Sequence, residues 1–297
     1  MTNANPPEIF DRRLLGLRRA RAARAFGAHD FLFREVAGRL IERLQEINRR
    51  FEAVLEIGGG RGGMADELDA GWAVRTELTE GFDGEGPLVV ADEEWLPFAQ
   101  ASFDLVISNL ALHWVNDLVG ALIQANHALR PDGLLLVAML GGETLKELRQ
   151  ALLQAESEVS DGARPRVSPF ADIRDLGSLL QRAGFAMPVV DADTITVTYP
   201  DAFALMRDLR GMGEASALID RPRRLTGRAV LFRAAEIYRD RFADADGRIP
   251  ATFQVLTLTG WAPAAGQPKP LRPGSATARL ADALGTKEIS AGEKAGR

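Results

Sequence analysis

A short apolar run that ends in glycines is the feature that most constrains the fold of this chain. The run AVLEI (53–57) leads directly into GGGRGG (58–63), and the segment GMADELDA (63–70) that follows has helical character. A glycine-rich turn after a strand permits positive φ and lets a ligand approach the backbone without meeting a Cβ. It also directs the free N–H groups of a following helix towards that ligand. The stretch therefore predicts a strand–loop–helix unit that binds a small molecule.

The rest of the chain alternates between helical periodicity and short apolar runs. Apolar residues recur at helical spacing in the stretches 7–48, 117–129, 141–159, 170–185, 200–212 and 225–241. The predicted strands are 53–57, 72–78, 87–92, 103–110, 134–140, 189–199 and 251–261. Strands that alternate with helices imply right-handed βαβ units. We therefore expect an α/β fold with a parallel sheet covered by helices on both faces.

Local signals mark the ends of elements and the limits of domains. RPDG (130–133) predicts a turn. Pro131 fixes φ at a value that suits a turn, and Gly133 accepts the backbone conformations that end one. Gly184 is expected to cap the helix that precedes it. Prolines, glycines and small polar residues dominate 263–297, which predicts a disordered tail. The predicted organisation is a helical segment (1–50), an α/β domain (51–262) with a helical insertion (200–248) between its last two strands, and this tail.

Composition excludes several classes of function. The net charge of −5 argues against a general nucleic-acid binder. The chain has no cysteine, which excludes disulfides, zinc–thiolate sites and cysteine nucleophiles and fits a reducing cytoplasm. Its longest apolar run, near 133–142, is too short to span a bilayer. Arg12 to Arg24 contains six arginines and no acid, and we expect a solvated or partner-facing basic helix rather than a transit peptide.

The glycine stretch satisfies two ligand patterns at once. Gly58, Gly60 and Gly63 form the G-x-G-x-x-G of a dinucleotide-binding turn, and Gly58, Gly60 and Gly62 form the G-x-G-x-G of an S-adenosylmethionine (AdoMet) loop. Glu77 ends the predicted second strand, 19 residues after Gly58, where both ligand classes place a carboxylate on ribose hydroxyls. Glu77 therefore supports an adenosine ligand without choosing between the two patterns.

Two acidic features favour AdoMet. Glu56 lies in an otherwise apolar strand, where a carboxylate would repel a pyrophosphate but attract an ammonium or sulfonium group. The alternative for Glu56 is an ion pair with a neighbour such as Arg61. Acids at 92–94 end the third strand, where they can accept hydrogen bonds from an adenine amine. Apolar side chains that can wall the adenine follow them, namely Trp95, Leu96 and Phe98.

These motifs resemble those of a class I AdoMet-dependent methyltransferase. EIGGGRG, Glu77, ADEEWLPF and FDLVISNLALHW stand in the order and spacing of that family. Over almost its whole length, with IFDRRL, GGETLKELR and YPDAFALMRDLRGMGE, the chain resembles the methyltransferase-like assembly factor of respiratory complex I, of the arginine-hydroxylase type. That family is similar in turn to malonyl-acyl-carrier-protein O-methyltransferase. The resemblance implies a Rossmann-like seven-stranded methyltransferase sheet with N-terminal helices and a helical lid.

The resemblance also implies a set of cofactor-binding residues. The glycines should approach the methionine part of AdoMet with Glu56 near its amine, Glu77 should hold the ribose, and Asp92 the adenine amine. Asn109 and Leu110 should form the floor beneath the sulfonium. The whole implied set is Glu56, Gly58, Gly59, Gly60, Gly62, Glu77, Leu78, Asp92, Glu93, Trp95, Asn109 and Leu110. The family usually has cysteine at position 59, and the smaller Gly59 should keep the loop open.

His113 is the best-placed titratable group for catalysis. It lies just beyond the fourth strand, where it could orient or deprotonate an acceptor, or else simply pack beside Trp114. Methyl transfer to a good nucleophile needs positioning and desolvation more than acid–base groups. A facial triad of two histidines and Asp117 would need His127 brought close by the fold, so we expect no metal. MRDLRGMGE (206–214) should form part of the lid.

Three hypotheses of function remain open. The first is an AdoMet-dependent enzyme that acts on a protein, a subunit of complex I, by methylation or arginine hydroxylation. The second is methylation of a carrier-bound malonyl group in biotin synthesis, and the third is a non-catalytic assembly chaperone that binds AdoMet. The expected location is the bacterial cytoplasm, or the matrix side in a mitochondrion, with transient association at a membrane. The arginine-rich N-terminal helix would close one side of the site or dock a partner.

Overall fold

The computed structural model describes residues 8–61, 63–82, 86–160, 162, 164–169, 173–221, 226–268 and 280–287. The chain divides into two compact units, 1–263 and 264–297. The helices of the first unit are α1 (Arg12–Ala23), α2 (Phe31–Gln45), α3 (Leu118–Ala128), α4 (Lys146–Val159), α5 (Ile173–Arg182), α6 (Ala202–Gly211) and α7 (Arg228–Phe242). Its strands are β1 (Ala53–Ile57), β2 (Trp72–Glu77), β3 (Leu88–Val90), β4 (Phe103–Asn109), β5 (Leu129–Leu140), β6 (Ala186–Tyr199) and β7 (Ile249–Trp261). The described part of the second unit includes the one-turn helix α8 (Leu280–Ala283).

The described strands form one sheet in the order β3-β2-β1-β4-β5-β7-β6. The pairs from β3 to β5 are parallel, whereas β7 runs antiparallel to both β5 and β6. The predicted seven-stranded Rossmann-like sheet is therefore confirmed, but the expectation that it is parallel throughout is wrong at β7. Between β6 and β7 the chain passes through two helices, α6 and α7, instead of one. A pair of helices returns the chain to the end of the sheet that it left, so the next strand runs in the opposite direction.

Helices cover both faces of the sheet, as predicted. One apolar layer packs α2, α4, α6 and α7 against the sheet, and the other packs α3 and α5 against the opposite face. β5 lies between these layers, and all seven residues of its run LLLVAML (134–140) are buried. A continuous apolar run is typical of a strand that is covered on both sides.

Two local predictions are wrong. The helix expected after the glycine loop is, among the described residues, only a single 3₁₀ turn, Ala65–Glu67. RPDG (130–133) is not a free turn but lies within β5, where the pairing with β4 shifts register. Asp132, not Gly133, takes the left-handed backbone conformation there, with φ of 64°. The extra residues of RPDG are thus taken up as a β-bulge.

The ends of other elements follow their sequence signals. Gly184 has φ of 85°, and the N–H of Phe185 donates to the carbonyl of Leu180, so the predicted C-terminal cap of α5 is confirmed. Asp201 caps α6 by accepting a hydrogen bond from the N–H of Ala204. None of the described helices combines the length and the apolar character needed to cross a bilayer. The predicted tail falls mostly outside the described residues.

Candidate functional site

The carboxyl ends of four neighbouring strands bring the predicted site residues together. The loop 58–60 follows β1, Glu77 ends β2, Asp92 and Glu93 come after β3, and Asn109 ends β4. These strands are adjacent and parallel, so their carboxyl ends lie along one edge of the sheet. The strand order reverses between β1 and β4, and open α/β sheets bind ligands in the crevice at such a reversal.

The described part of the glycine loop leaves no room for side chains. Gly58 has φ of 74°, in the region that favours glycine, and a Cβ at this position would collide with the Cβ of Ala111. A Cβ at Gly60 would lie 2.9 Å from the Cγ of Glu77. The loop is therefore held against the carboxylate predicted to bind ribose. Gly62, the third glycine of the AdoMet pattern, lies outside the described residues.

Glu56 fastens the far end of the same loop. Its Oε1 accepts from the N–H of Met64 and its Oε2 from that of Ala65, each at 2.9 Å. The side chain is fully buried, and burial raises its pKa to about 7. Among the described residues Glu56 makes no ion pair with Arg61, and its contact with a ligand amine stays a prediction. A Cβ at Gly59 would lie 2.7 Å from the Cδ of Glu56, so a cysteine there would require Glu56 to move.

Two arginines of α1 bind the carboxylates predicted for the ligand. The Nη1 of Arg19 donates to the Oε1 of Glu77 at 2.8 Å and to the Oε1 of Glu93 at 2.6 Å, and all three side chains are fully buried. The Nη2 of Arg12 donates to the Oδ1 of Asp92 at 2.6 Å and also contacts Glu93. We call Arg12 and Arg19 the arginine clamp. The expectation of a solvated or partner-facing helix is wrong for these two residues, because buried carboxylates require compensating charge.

The clamp lowers the pKa of Glu93. Burial alone would raise the pKa of Glu93, but the guanidinium groups of Arg19 and Arg12 outweigh it and lower the pKa to about 2. Burial would likewise lower the pKa of Arg19, and the carboxylates of Glu93 and Glu77 raise it instead. Both partners are therefore charged at neutral pH.

Glu214, a residue that the sequence did not single out, joins the glycine loop to His113. It follows α6, and its Oε1 accepts from the Nη1 of Arg61 at 2.5 Å. Its Oε2 accepts from the Nε2 of His113 at 2.9 Å and from the Nε1 of Trp114 at 2.7 Å. Burial would raise the pKa of Glu214, but His113 and Arg61 outweigh it and lower the pKa to about 2. Its signal in the sequence was its place at the end of LRGMGE, a stretch that the resemblance covers.

The floor predicted from β4 has an unusual backbone. Leu110 is buried and has φ of 50°, a left-handed conformation that is uncommon for a residue with a branched side chain. Arg61 extends across this point, with its Nη2 donating to the carbonyl of Leu110 at 3.3 Å. The Nδ2 of Asn109 donates to the carbonyl of Phe33 at 2.9 Å. Backbone strain of this kind is concentrated at functional sites.

Leu78 and Trp95 have different surroundings. Leu78 is half-buried and packs against an apolar cluster that includes Leu15 of α1 and Trp114. Trp95 is 77% exposed beside a cleft of about 590 Å³ that Asp92 and the N-terminal segment also line. Its role as an adenine wall stays a prediction.

The remaining candidates lie apart. His29 pairs with Asp208 at 2.7 Å, and His127 lies in α3. Within the described part of the chain, no group of three or more metal-ligating side chains could hold a metal ion. Arg207 and Arg210 are exposed on α6.

We expect His113 to titrate below the usual histidine range when the three histidines are followed by NMR. Burial lowers its pKa from the ordinary 6.5, and the charge of Glu214 opposes that effect. Glu214→Gln removes the opposing charge and should lower the pKa further. A His113→Gln sample assigns the signal by its disappearance. A His113 pKa above the ordinary value, or one unmoved by Glu214→Gln, would contradict this account.

Comparisons with known proteins identify the family of the chain. Residues 28–188 match the family model described as a methyltransferase domain. Mitochondrial arginine-hydroxylase NDUFAF5 of Mus musculus is 42% identical, covering 99% of this chain and 89% of that protein. Malonyl-[acyl-carrier protein] O-methyltransferase of Gallionella capsiferriformans is 34% identical, covering 86% of this chain and 92% of that protein.

A solved structure supports the fold. Phosphoethanolamine N-methyltransferase 2 of Haemonchus contortus, in complex with phosphomonomethylethanolamine and S-adenosylhomocysteine, superposes with a TM-score of 0.51 and 15% identity. The match covers 87% of this chain and 61% of that one. At this identity the likeness concerns the fold alone. The family match and the two relatives carry the conclusion: the chain belongs to the methyltransferase-domain family, among relatives that include arginine-hydroxylase NDUFAF5 and the malonyl-[acyl-carrier protein] O-methyltransferases.

Proposed function

We propose that this chain is an AdoMet-dependent enzyme that modifies a protein subunit during assembly of respiratory complex I. The observation that carries the proposal is the 42% identity to arginine-hydroxylase NDUFAF5, which extends over 99% of the chain. Malonyl-[acyl-carrier protein] O-methyltransferase has a lower identity, 34%, and its match covers less of this chain, 86%. A protein acceptor therefore has more support than a carrier-bound malonyl group.

The residues at the strand ends fit AdoMet. Glu77 and Glu93 present buried carboxylates to a ligand with ribose hydroxyls, an adenine amine and positive charge. The Oε2 of Glu77 and the Oδ1 of Asn109 are buried and have no hydrogen-bond partner among the described residues. Both atoms are acceptors, and AdoMet offers donors. The glycine loop provides backbone that a ligand can approach closely.

Each group of residues has a role in the proposed activity. Bound AdoMet would supply an electrophilic methyl group. Glu77 would orient the ribose, Asp92 and Glu93 the adenine, and Asn109 and Leu110 would support the sulfonium end. His113, held by Glu214, would orient the acceptor or take a proton from it. The buried surroundings would exclude water, which strengthens each of these contacts.

The proposal includes a location. The relatives named arginine-hydroxylase NDUFAF5 are mitochondrial, and complex I is a membrane enzyme. We place the chain beside that membrane, on the matrix side in a mitochondrion or the cytoplasmic side in a bacterium. Its contact with the membrane would be transient.

Mass spectrometry of complex I subunits from cells with and without this chain tests the acceptor. We expect one peptide to lose a modification when the gene is deleted. A difference of one CH₂ unit reports methylation, and a difference of one oxygen atom reports hydroxylation. A full set of unchanged peptides, with normal NADH:quinone activity, would contradict the proposal.

The same deletion distinguishes the two other candidates. Biotin auxotrophy without a complex I defect would favour the malonyl-carrier methyltransferase. A complex I defect that a Gly60→Arg variant rescues would favour an assembly chaperone that makes no use of AdoMet. Loss of complex I activity that only the wild-type gene restores would favour the enzyme.

A further inference from the structure

The arginine clamp holds the same acids that the proposed function assigns to AdoMet. One guanidinium group, that of Arg19, bridges Glu77 of β2 and Glu93 of the loop after β3. The second, that of Arg12, holds Asp92 at 2.6 Å. Arg12 also donates from its Nε to the Oδ2 of Asp92 at 3.2 Å, so both oxygens of Asp92 accept from arginine, and the two arginines together occupy both oxygens of Glu93. The present position of α1 therefore competes with an adenine amine for Asp92 and Glu93, whereas the Oε2 of Glu77 stays available to a ribose hydroxyl.

Arg19 is incompletely satisfied in this position. An arginine side chain carries five N–H donors, and in Arg19 only Nη1 makes hydrogen bonds. Its Nε and Nη2 are buried and have no acceptor among the described residues. A partly satisfied buried network is less favourable than a complete one. The clamp is therefore a contact that a competing ligand with better hydrogen bonding can displace.

The charge of the competitor also matters at this site. A ligand with a pyrophosphate would add negative charge beside three carboxylates, whereas AdoMet carries a net positive charge and brings hydrogen-bond donors to them. AdoMet is therefore the more favourable competitor for the carboxylates that the clamp holds.

α1 is also attached to the segment between α6 and α7. The N–H of Asp11 donates to the carbonyl of Ala217 at 2.8 Å, and Phe10 pairs with Leu218 in an antiparallel bridge. The Nη1 of Arg18 donates to the carbonyl of Ala215 at 2.7 Å. Withdrawal of α1 would therefore release this segment, 215–218, from its partner. Residue 214, which holds His113, immediately precedes it.

We propose that α1 is a strap that AdoMet displaces. While the arginine clamp occupies the carboxylates assigned to the adenine, AdoMet cannot bind them, so binding of AdoMet requires α1 to withdraw and frees the segment 215–218 beside the acceptor site. The strap rests on the proposed function, because it takes AdoMet as the competing ligand. It goes further by making cofactor entry and opening of the acceptor side a single event.

Calorimetric titration of AdoMet into Arg19→Ala tests the strap. The variant removes the bridge between Glu77 and Glu93, so more molecules have α1 withdrawn. An apparent dissociation constant is inversely proportional to the fraction of competent molecules, and we expect it to fall by about tenfold or more. Arg24→Ala, an exposed arginine of the next turn, is the matched control and should bind as wild type. Weaker binding by Arg19→Ala would make Arg19 a direct ligand contact and overturn the strap, as would unchanged binding.

A disulfide that fixes α1 gives a second test, in which one variant is compared in its reduced and oxidised states. Phe10 and Leu218 form a pair whose flanking residues make the hydrogen bonds, and such pairs have Cα atoms about 4.5 Å apart, within disulfide range. The chain has no cysteine of its own, so Phe10→Cys combined with Leu218→Cys gives one defined bond. We expect AdoMet to bind the reduced protein and to lose at least about tenfold in affinity after oxidation. Equal affinity in both states would overturn the strap and leave the proposed function standing. Absence of AdoMet binding to wild type would overturn both.

Discussion

Replacing Gly60 with arginine is expected to abolish AdoMet binding, with an affinity loss of about a hundredfold or more, or about 2.7 kcal/mol. A Cβ alone at this position would lie 2.9 Å from the Cγ and 3.1 Å from the Cβ of Glu77, so the loop or Glu77 would have to shift. The new side chain would also pair with Glu77 and remove the acceptor proposed for the ribose. Titration of AdoMet into the purified variant measures the effect. The modification of complex I subunits should disappear with it.

Gly38→Arg is the matched control for this variant. Gly38 is exposed on α2, and a Cβ there would have nothing within 4 Å, so the same substitution adds the same charge without a collision. We expect this control to bind AdoMet as wild type does. Thermal unfolding of both variants shows whether the loss of binding reflects the site or the fold. Wild-type affinity in a folded Gly60→Arg protein would place the cofactor elsewhere.

The sheet and the glycine loop could be predicted because their signals are local. The run AVLEI, its glycines and an acid at the end of the next strand lie within 25 consecutive residues, 53–77. Apolar runs and helical spacing likewise report which face of each element is buried. The reversal of β7 was missed because the rule for alternating strands and helices was extended to the whole sheet, although the sequence indicated two helical stretches, 200–212 and 225–241, between β6 and β7.

The arginine clamp and Glu214 were missed because their partners are remote in the sequence. Arg19 meets Glu77 and Glu93 across separations of 58 and 74 residues, and Glu214 meets His113 across 101. A helix that is rich in arginine and contains no acid is predicted to expose its side chains to solvent. The sequence alone does not show which remote carboxylates these arginines bind. Burial of Arg19 follows only once the sheet has placed two carboxylates opposite the helix. Residues that compensate charge at a site are therefore visible only in the folded structure.

Glu214→Ala is expected to lower the free energy of unfolding by about 3–5 kcal/mol, the usual result of removing one partner from a buried ion pair. Glu214 accepts from Arg61, His113 and Trp114, and all three donors would lose their acceptor inside the protein. Urea unfolding of wild type and variant measures the difference. Glu158→Ala removes a carboxylate from an exposed pair with Arg233 and is the control, since exposed ion pairs contribute little.

The pH dependence of stability identifies the charge of Glu214 as the cause. Its pKa in the folded chain is lowered to about 2, because His113 and Arg61 outweigh the opposing effect of burial, whereas an unfolded glutamate has a pKa of about 4.3. The ionised side chain therefore stabilises the fold fully above about pH 4.3, and this contribution is lost as the pH falls towards about 2. Stability of wild type should decrease more steeply over this range than that of Glu214→Ala, because the variant lacks the group that takes up the proton. Parallel curves would mean that the loss in Glu214→Ala comes from packing alone.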